Sequence, residues 1–235
     1  MMLKAVIFDF GQTLVDSADG FRTAENEAQF KLFSNLGLTI RHEFLANYRK
    51  LRKAFHERSN FSRKSLWQEV YHYYCLSPDI DFIEKWENEY WETVKSHSKL
   101  FPEAEQVLEA LSSRYDVALI TNTQGQIRIG THRISQFPEL EKYFKVIIVA
   151  GEEGIPPKPD PKPFQLCLDE LSIEASEAIY IGDDYRIDIC GAKDAGLHPI
   201  WLKHYSVKRN WPDVKTNVPI ITRLDELLEL DGIIY

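Results

Sequence analysis

Five short apolar runs, at residues 5–10, 117–121, 146–150, 178–181 and 199–202, constrain this chain more than any other feature. Each is continuous rather than alternating, which is how a strand reads when both its faces are buried in a parallel sheet. Between the later runs lie stretches with helical spacing. Residues 103–113 carry Val107, Leu108 and Leu111, and residues 163–171 carry Phe164, Leu168 and Leu171. Residues 187–195 and 224–230 read the same way. Strand alternating with helix predicts an α/β fold, a doubly wound and mainly parallel sheet.

Residues 16–99 break that rhythm. They hold helical patterns at 21–36, 43–57, 63–75 and 82–94 and no good strand candidate. The predicted organisation is an α/β core from residues 1–15 and 100–235, interrupted by an α-helical domain at 16–99. The insert is rich in aromatics, among them Trp67, Tyr71, Tyr73, Tyr74, Trp86, Tyr90 and Trp91. They read as packing against one another; the alternative is a lid face that selects a substrate.

Composition narrows the function classes. The 235 residues carry a formal net charge of −8, which argues against the basic face that nucleic acid or an anionic membrane needs. A metal cation or a small substrate suits an acidic chain. Cys75, Cys167 and Cys190 are widely spaced and odd in number, as expected for reduced thiols in a cytoplasmic protein. Met1-Met2-Leu3-Lys4 runs straight into the first strand, so no signal peptide is expected. No apolar run approaches the ~20 residues that span a bilayer. Neither substrate identity nor oligomeric state is written in the residues.

In open α/β sheets ligands bind beyond the carboxyl ends of the strands. Asp9 follows the first run, Thr121, Asn122 and Thr123 the second, and Gly182, Asp183, Asp184 and Asp188 the fourth; Lys158 sits in a Pro-rich stretch between the third and fourth. Taken singly, each has a plain reading as a cap, a turn or a stiff loop. Together they bring carboxylates, a hydroxyl, an amide and a lysine to one crevice. Asp9, Asp183 and Asp188 crowded together would repel unless a cation neutralised them. Hard oxygen donors favour Mg²⁺, and a phosphoryl group is stabilised by such a cation with a lysine and hydroxyl donors.

These pieces resemble the haloacid dehalogenase superfamily, in the phosphatase-like branch with a helical cap after its first motif. The carrying motifs are Asp9-Phe10-Gly11-Gln12-Thr13-Leu14, the Thr121 of ALITNT, the Lys158 of GIPPKPDPKPF, and YIGDDYRIDICGAKDAGL with Asp183 and Asp188. The resemblance implies a Mg²⁺-dependent hydrolase of a small phosphorylated metabolite, with Asp9 as nucleophile. Asp9, the Gly11 carbonyl, Asp183 and Asp188 would hold the metal. Thr121 and the Asn122 backbone would bind phosphate, and Lys158 would balance charge. Asp184 is expected to be solvated.

The sequence departs from that family at Gly11, where such phosphatases usually carry a second Asp that exchanges protons with leaving group and water. A proton donor of that kind is worth ~10²–10⁴-fold in rate. Gly11 retains the carbonyl and loses the side chain. Gln12 can orient a water but cannot exchange protons; Asp16 and Asp19 are candidate substitutes. Three other readings follow: a weak or inactive binding or regulatory protein, a haloacid dehalogenase, and a phosphonatase using Lys50 or Lys53. Gly182-Asp183 argues against the dehalogenase. Arg128 and Arg133, after the second motif, could reach a substrate or sit on the surface, and the surface is the expectation.

Overall fold

The computed structural model describes residues 2–122 and 133–229. In chain order it runs β1 (Ala5–Phe8), β2 (Val15–Asp16), α1 (Ala18–Asn35), α2 (Arg41–Glu57), α3 (Arg63–Tyr73), α4 (Ile80–Ser96), β3 (Lys99–Leu100), α5 (Ala104–Ser112) and β4 (Asp116–Asn122). A 3₁₀ turn at Arg133–Gln136 leads to α6 (Pro138–Glu141), β5 (Val146–Ala150), α7 (Pro161–Leu171) and β6 (Ala178–Gly182). A π-helical turn at Tyr185–Cys190 precedes α8 (Gly191–Asp194), β7 (His198–Leu202), β8 (Ile220–Ile221) and a 3₁₀ segment at Leu224–Glu229. Contacts divide these residues into two compact units, one from 2–16, 99–122 and 133–229 and the other from 17–98.

In the first unit six strands form one sheet in the order β5-β4-β1-β6-β7-β8, with every pairing parallel. The continuous apolar reading of β1 has a direct cause. Val6 and Phe8 pack with Val107, Leu108 and Leu111 of α5, while Ala5 and Ile7 pack on the other side with Phe164, Cys167 and Leu168 of α7. Successive side chains point to opposite faces, so a strand with a core on each side has no polar position. Each fully buried Val, Ile or Phe contributes roughly 1.5–3 kcal/mol. β5, at the sheet edge, keeps Ile147 and Val149 only half-buried.

Two helix starts follow local capping. α7 starts at Pro161 because Asp160 caps it, accepting from the Lys162 backbone N–H at 2.9 Å. α4 starts at Ile80, two residues before the hydrophobic spacing suggests, because the Asp79 carboxylate accepts from the Asp81 and Phe82 amides. Three strands depart from the sequence reading. β8 is only two residues long, and β2 pairs antiparallel with β3, Val15 opposite Leu100 and Asp16 opposite Lys99. Segments this short have no periodicity to read.

The second unit is helical. Leu32, Phe44, Tyr48, Trp67, Val70, Ile83, Tyr90, Trp91 and Val94 share its core. Of the aromatics singled out above, Trp67, Tyr71, Tyr90 and Trp91 are buried, whereas Tyr73 is exposed. A buried carboxylate sits within this core. Glu25 lies 3.4 Å from Arg63 and 3.1 Å from Arg52, and accepts from the Tyr90 hydroxyl at 3.1 Å. Burial alone would raise the Glu25 pKa, but the two guanidiniums outweigh it and hold it below the ordinary value.

No helix among the described residues is long and apolar enough to cross a membrane. The three cysteines are free thiols.

Candidate active site

The chain steps from β1 to β4 and β5 on one side, then returns to β6 and β7 on the other. Asp9 follows β1 directly, and its backbone N–H donates to the Ile181 carbonyl of β6 at 2.8 Å. Asp183 follows β6, and Asp188 lies in the π-helical turn. All three aspartates are buried, and one carboxylate oxygen from each lies within 4.8 Å of those of the other two.

Two local features bring Asp188 this close. The Asp184 side chain caps the π-helical turn, accepting from the Arg186 and Ile187 amides at 3.0 and 2.9 Å. π-Helical turns recur at functional sites. Gly182 removes an obstacle: a Cβ there would stand 2.4 Å from the Asp188 Cβ and 2.5 Å from its Cγ. The Asp184 backbone N–H then donates to the Asp188 carboxylate at 3.0 Å.

Lys158 joins the cluster from the loop before α7. Its ammonium lies 2.8 Å from Asp9 Oδ1, 2.8 Å from Asp188 Oδ1, 2.8 Å from the Ile120 carbonyl and 2.7 Å from the Tyr180 hydroxyl. Three N–H groups face four acceptors, so one N–H is shared. The Tyr180 hydroxyl also reaches Ile120 O and Asp188 Oδ1, both at 3.2 Å, and can donate to either. Asn122 pins the lysine backbone: its side-chain amide donates to the Lys158 carbonyl at 3.1 Å and its side-chain oxygen accepts from the Lys158 N–H at 2.8 Å. Thr121 is buried at the end of β4. The Thr13 hydroxyl donates to Asp9 Oδ2 at 3.4 Å.

The electrostatics follow from burial. Desolvation pushes the Lys158 pKa down, but Asp188 and Asp9 outweigh it and raise it above the ordinary lysine value. Desolvation raises Asp183 well above its usual range although Arg209 opposes it. It raises Asp188 to about 6 against the pull of Lys158. The Tyr180 phenol is raised well above 10, by burial first and by Asp188 and Asp9 next, so it stays neutral.

Several residues were not marked from the sequence. Tyr180 sits inside an apolar run, where a hydroxyl carries no signal. Arg209, in the long loop between β7 and β8, pairs with Asp183 and lies 3.7 Å from Asp184. Asp184 is partly exposed rather than freely solvated, and its carboxylate is occupied by the turn it caps. Arg133 corrects an expectation: it is buried, at 3% exposure, with its guanidinium 5.3 Å over the Phe10 ring. Asp19 is exposed and paired with Arg22, and Asp16 lies in β2. Arg128 and Thr123 lie outside the described residues. A cleft of about 930 Å³ lined by Lys193, His198, Lys215 and Asn217 includes none of the clustered carboxylates.

A family model, haloacid dehalogenase-like hydrolase, matches residues 3–196, including every residue of the cluster. The chain belongs to this family of hydrolases. Among curated relatives of this haloacid dehalogenase-like hydrolase, glyceraldehyde 3-phosphate phosphatase of Pyrococcus abyssi is 28% identical over 209 residues, covering 86% of this chain and 82% of the relative. Phosphoglycolate phosphatase of Yersinia pestis is 28% identical over 207 residues, with 86% and 82% covered. A crystal structure of a 2-haloacid dehalogenase from Pseudomonas syringae pv. Tomato DC3000 superposes with a TM-score of 0.68 at 27% identity, covering 98% of this chain and 99% of that one. A HAD phosphatase from Thermococcus onnurineus shares the fold, with a TM-score of 0.71 at 22% identity over 98% and 99% of the two chains.

Proposed function

We propose that this hydrolase is a Mg²⁺-dependent phosphatase of a small phosphorylated metabolite that works through an aspartyl-phosphate on Asp9. The carrying observation is the buried cluster of Asp9, Asp183 and Asp188 around Lys158. The phosphatase names of the curated relatives support the same reading. The helical unit, residues 17–98, would be the cap.

The donor set suits Mg²⁺. It consists of hard oxygen donors, and burial disfavours the ionisation of Asp183 and Asp188 unless a cation compensates it. Asp9, the Gly11 carbonyl, Asp183 and Asp188 would hold the ion. Bound there, it would neutralise charge on the phosphoryl group and make an anionic nucleophile compatible with an anionic substrate.

The chain's own residues do the rest. Lys158 cannot act as an acid, because its proton is held by two carboxylates; it fixes Asp9 and adds positive charge. Asp9 would attack phosphorus, forming the P–Oδ bond as the bond to the leaving oxygen breaks. Water would then attack the same phosphorus, breaking P–Oδ, restoring the carboxylate and leaving with its protons on inorganic phosphate. The Thr121 hydroxyl and Asn122 backbone would hold the phosphoryl oxygens, while Asn122 also fixes Lys158.

The test is turnover of p-nitrophenyl phosphate and a panel of sugar and nucleotide phosphates with Mg²⁺ and with EDTA. Hydrolysis should require Mg²⁺, vanish in Asp9→Asn, and leave an acid-trappable phosphoenzyme in the unmodified protein. Absence of turnover across the panel would favour the binding or regulatory reading.

A further inference from the structure

Gly11 stands two residues after Asp9, and the Arg133 guanidinium lies against the place where its Cβ would be. A Cβ at residue 11 would lie 3.3 Å from Nη2 of Arg133, 3.8 Å from Nη1 and 4.0 Å from Cζ. A buried cation therefore stands in contact with the point where a residue-11 side chain would begin. Its placement has a local basis: Arg133 opens the 3₁₀ turn before α6, and its guanidinium lies over Phe10, whose ring packs 6.0 Å from that of Phe137. Lys158 is committed to Asp9, Asp188 and Ile120. The charge beside Gly11 is a second, separate one. A guanidinium keeps its protons at any pH of interest, so it cannot protonate a leaving group. It can stabilise a negative charge that forms beside it.

We propose that Arg133 serves as the leaving-group electrostatic clamp of this enzyme, and that its substrates are phosphate derivatives whose leaving group departs as a weakly basic oxyanion. Acyl, enol and phenol phosphates belong to this class, and simple alkyl phosphates do not. The inference rests on the phosphatase reading above. In the step concerned, the Asp9 oxygen bonds to phosphorus while the bond from phosphorus to the leaving oxygen breaks. The electron pair goes to that oxygen, the guanidinium holds the resulting oxyanion, and the product takes its proton from bulk water after release.

The same geometry says why an aspartate at residue 11 would not help. Its carboxylate would meet the guanidinium, and the ion pair would lower its pKa and spoil it as a general acid.

The experiment measures kcat/KM for a series of aryl and alkyl phosphates of graded leaving-group basicity, with Mg²⁺, in the unmodified protein, Arg133→Lys, Arg133→Gln, Gly11→Asp and the double variant Gly11→Asp/Arg133→Gln. The readout is the slope of log kcat/KM against leaving-group pKa. That slope is a ratio within one preparation, so partial misfolding of a variant does not move it. Arg133→Gln should steepen the slope, losing ~10²-fold on the most basic leaving groups and little on the least basic; Arg133→Lys should fall between. Gly11→Asp alone should not raise turnover of alkyl phosphates, whereas the double variant should exceed Arg133→Gln on them. A uniform loss across the series, an unchanged slope, or an effect confined to KM for substrates with an extra anionic group would overturn the inference while leaving the phosphatase intact. No turnover by the unmodified protein would overturn both.

Discussion

Lys158→Met is the most informative single perturbation of the cluster. The lysine side chain is 1% exposed and pairs at 2.8 Å with two carboxylates, Asp9 and Asp188, which are 12% and 2% exposed. Methionine matches the stem and deletes only the charge and its donors. Removing one partner of a buried ion pair costs about 3–5 kcal/mol, because the remaining charge is left uncompensated. Here two carboxylates lose their cation. The Ile120 carbonyl also loses a donor, but the Tyr180 hydroxyl at 3.2 Å can replace it. Asp188, at about 6 even with the lysine beside it, can take up a proton once that charge is gone, so the expected loss in metal-free protein lies at the lower end, near 3 kcal/mol, against a total of about 5–15 kcal/mol for an ordinary domain. Urea unfolding in EDTA at neutral pH measures it. A second substitution, Asp188→Asn, removes one of the stranded charges and should recover part of the loss. If Lys158→Met unfolds within about 1 kcal/mol of the unmodified protein, or if Asp188→Asn adds to the damage, the account of Lys158 as the counter-charge is wrong.

Four further outcomes follow from the same structure. Gly182→Ala puts a methyl 2.4 Å from the Asp188 Cβ, so it should cost about 1–3 kcal/mol and weaken Mg²⁺ binding in calorimetric titration; unchanged affinity would refute the close-packing argument. Mg²⁺ at a hundred times its Kd should add about 2.7 kcal/mol to stability, and Asp183→Asn should abolish the gain in a thermal melt. Glu25, whose folded pKa is held below about 4.5, contributes stability that is full above that value and lost as pH falls through the folded value. Glu25→Gln should therefore cost about 3 kcal/mol at pH 7 and little once the native carboxyl is protonated; equal costs in urea unfolding at pH 7 and under strongly acidic conditions would count against it. Cys75 is exposed while burial lifts the Cys167 thiol to about 12, so iodoacetamide at pH 8 should label Cys75 and spare Cys167, as peptide mass mapping would report.

The strands were legible because β1, β4 and β6 are buried on both faces, which leaves a continuous apolar run in the sequence. The long helices of residues 17–98 were legible because each has an apolar stripe facing one shared core. Their ends differ from the spacing by two or three residues: α4 begins where the Asp79 side chain caps it, whereas α1 and α2 begin without a side-chain cap and leave no such signal. The acidic residues and Lys158 were legible as candidates because a charge at the end of a buried strand is costly and needs a reason. Arg133 was misread as a surface residue because nothing in its neighbourhood of sequence signals that Phe10 and Gly11 will receive it. Arg209 and Tyr180 were missed for the same reason.

The sequence by itself therefore determined the fold class, the interruption by a helical segment and the chemical types available at the strand ends. These are properties of local periodicity and of residue identity. Only the tertiary structure decided which charges meet. It brings Lys158 to within hydrogen-bonding distance of a carboxylate 149 residues away, lets Asp188 lie against Gly182, and fills the space beside Gly11 with a guanidinium from Arg133. Such meetings depend on strand order and loop path, to which no local pattern in the chain is coupled. The missing side chain at residue 11 is visible in one dimension; the cation that lies against its position is visible only in three.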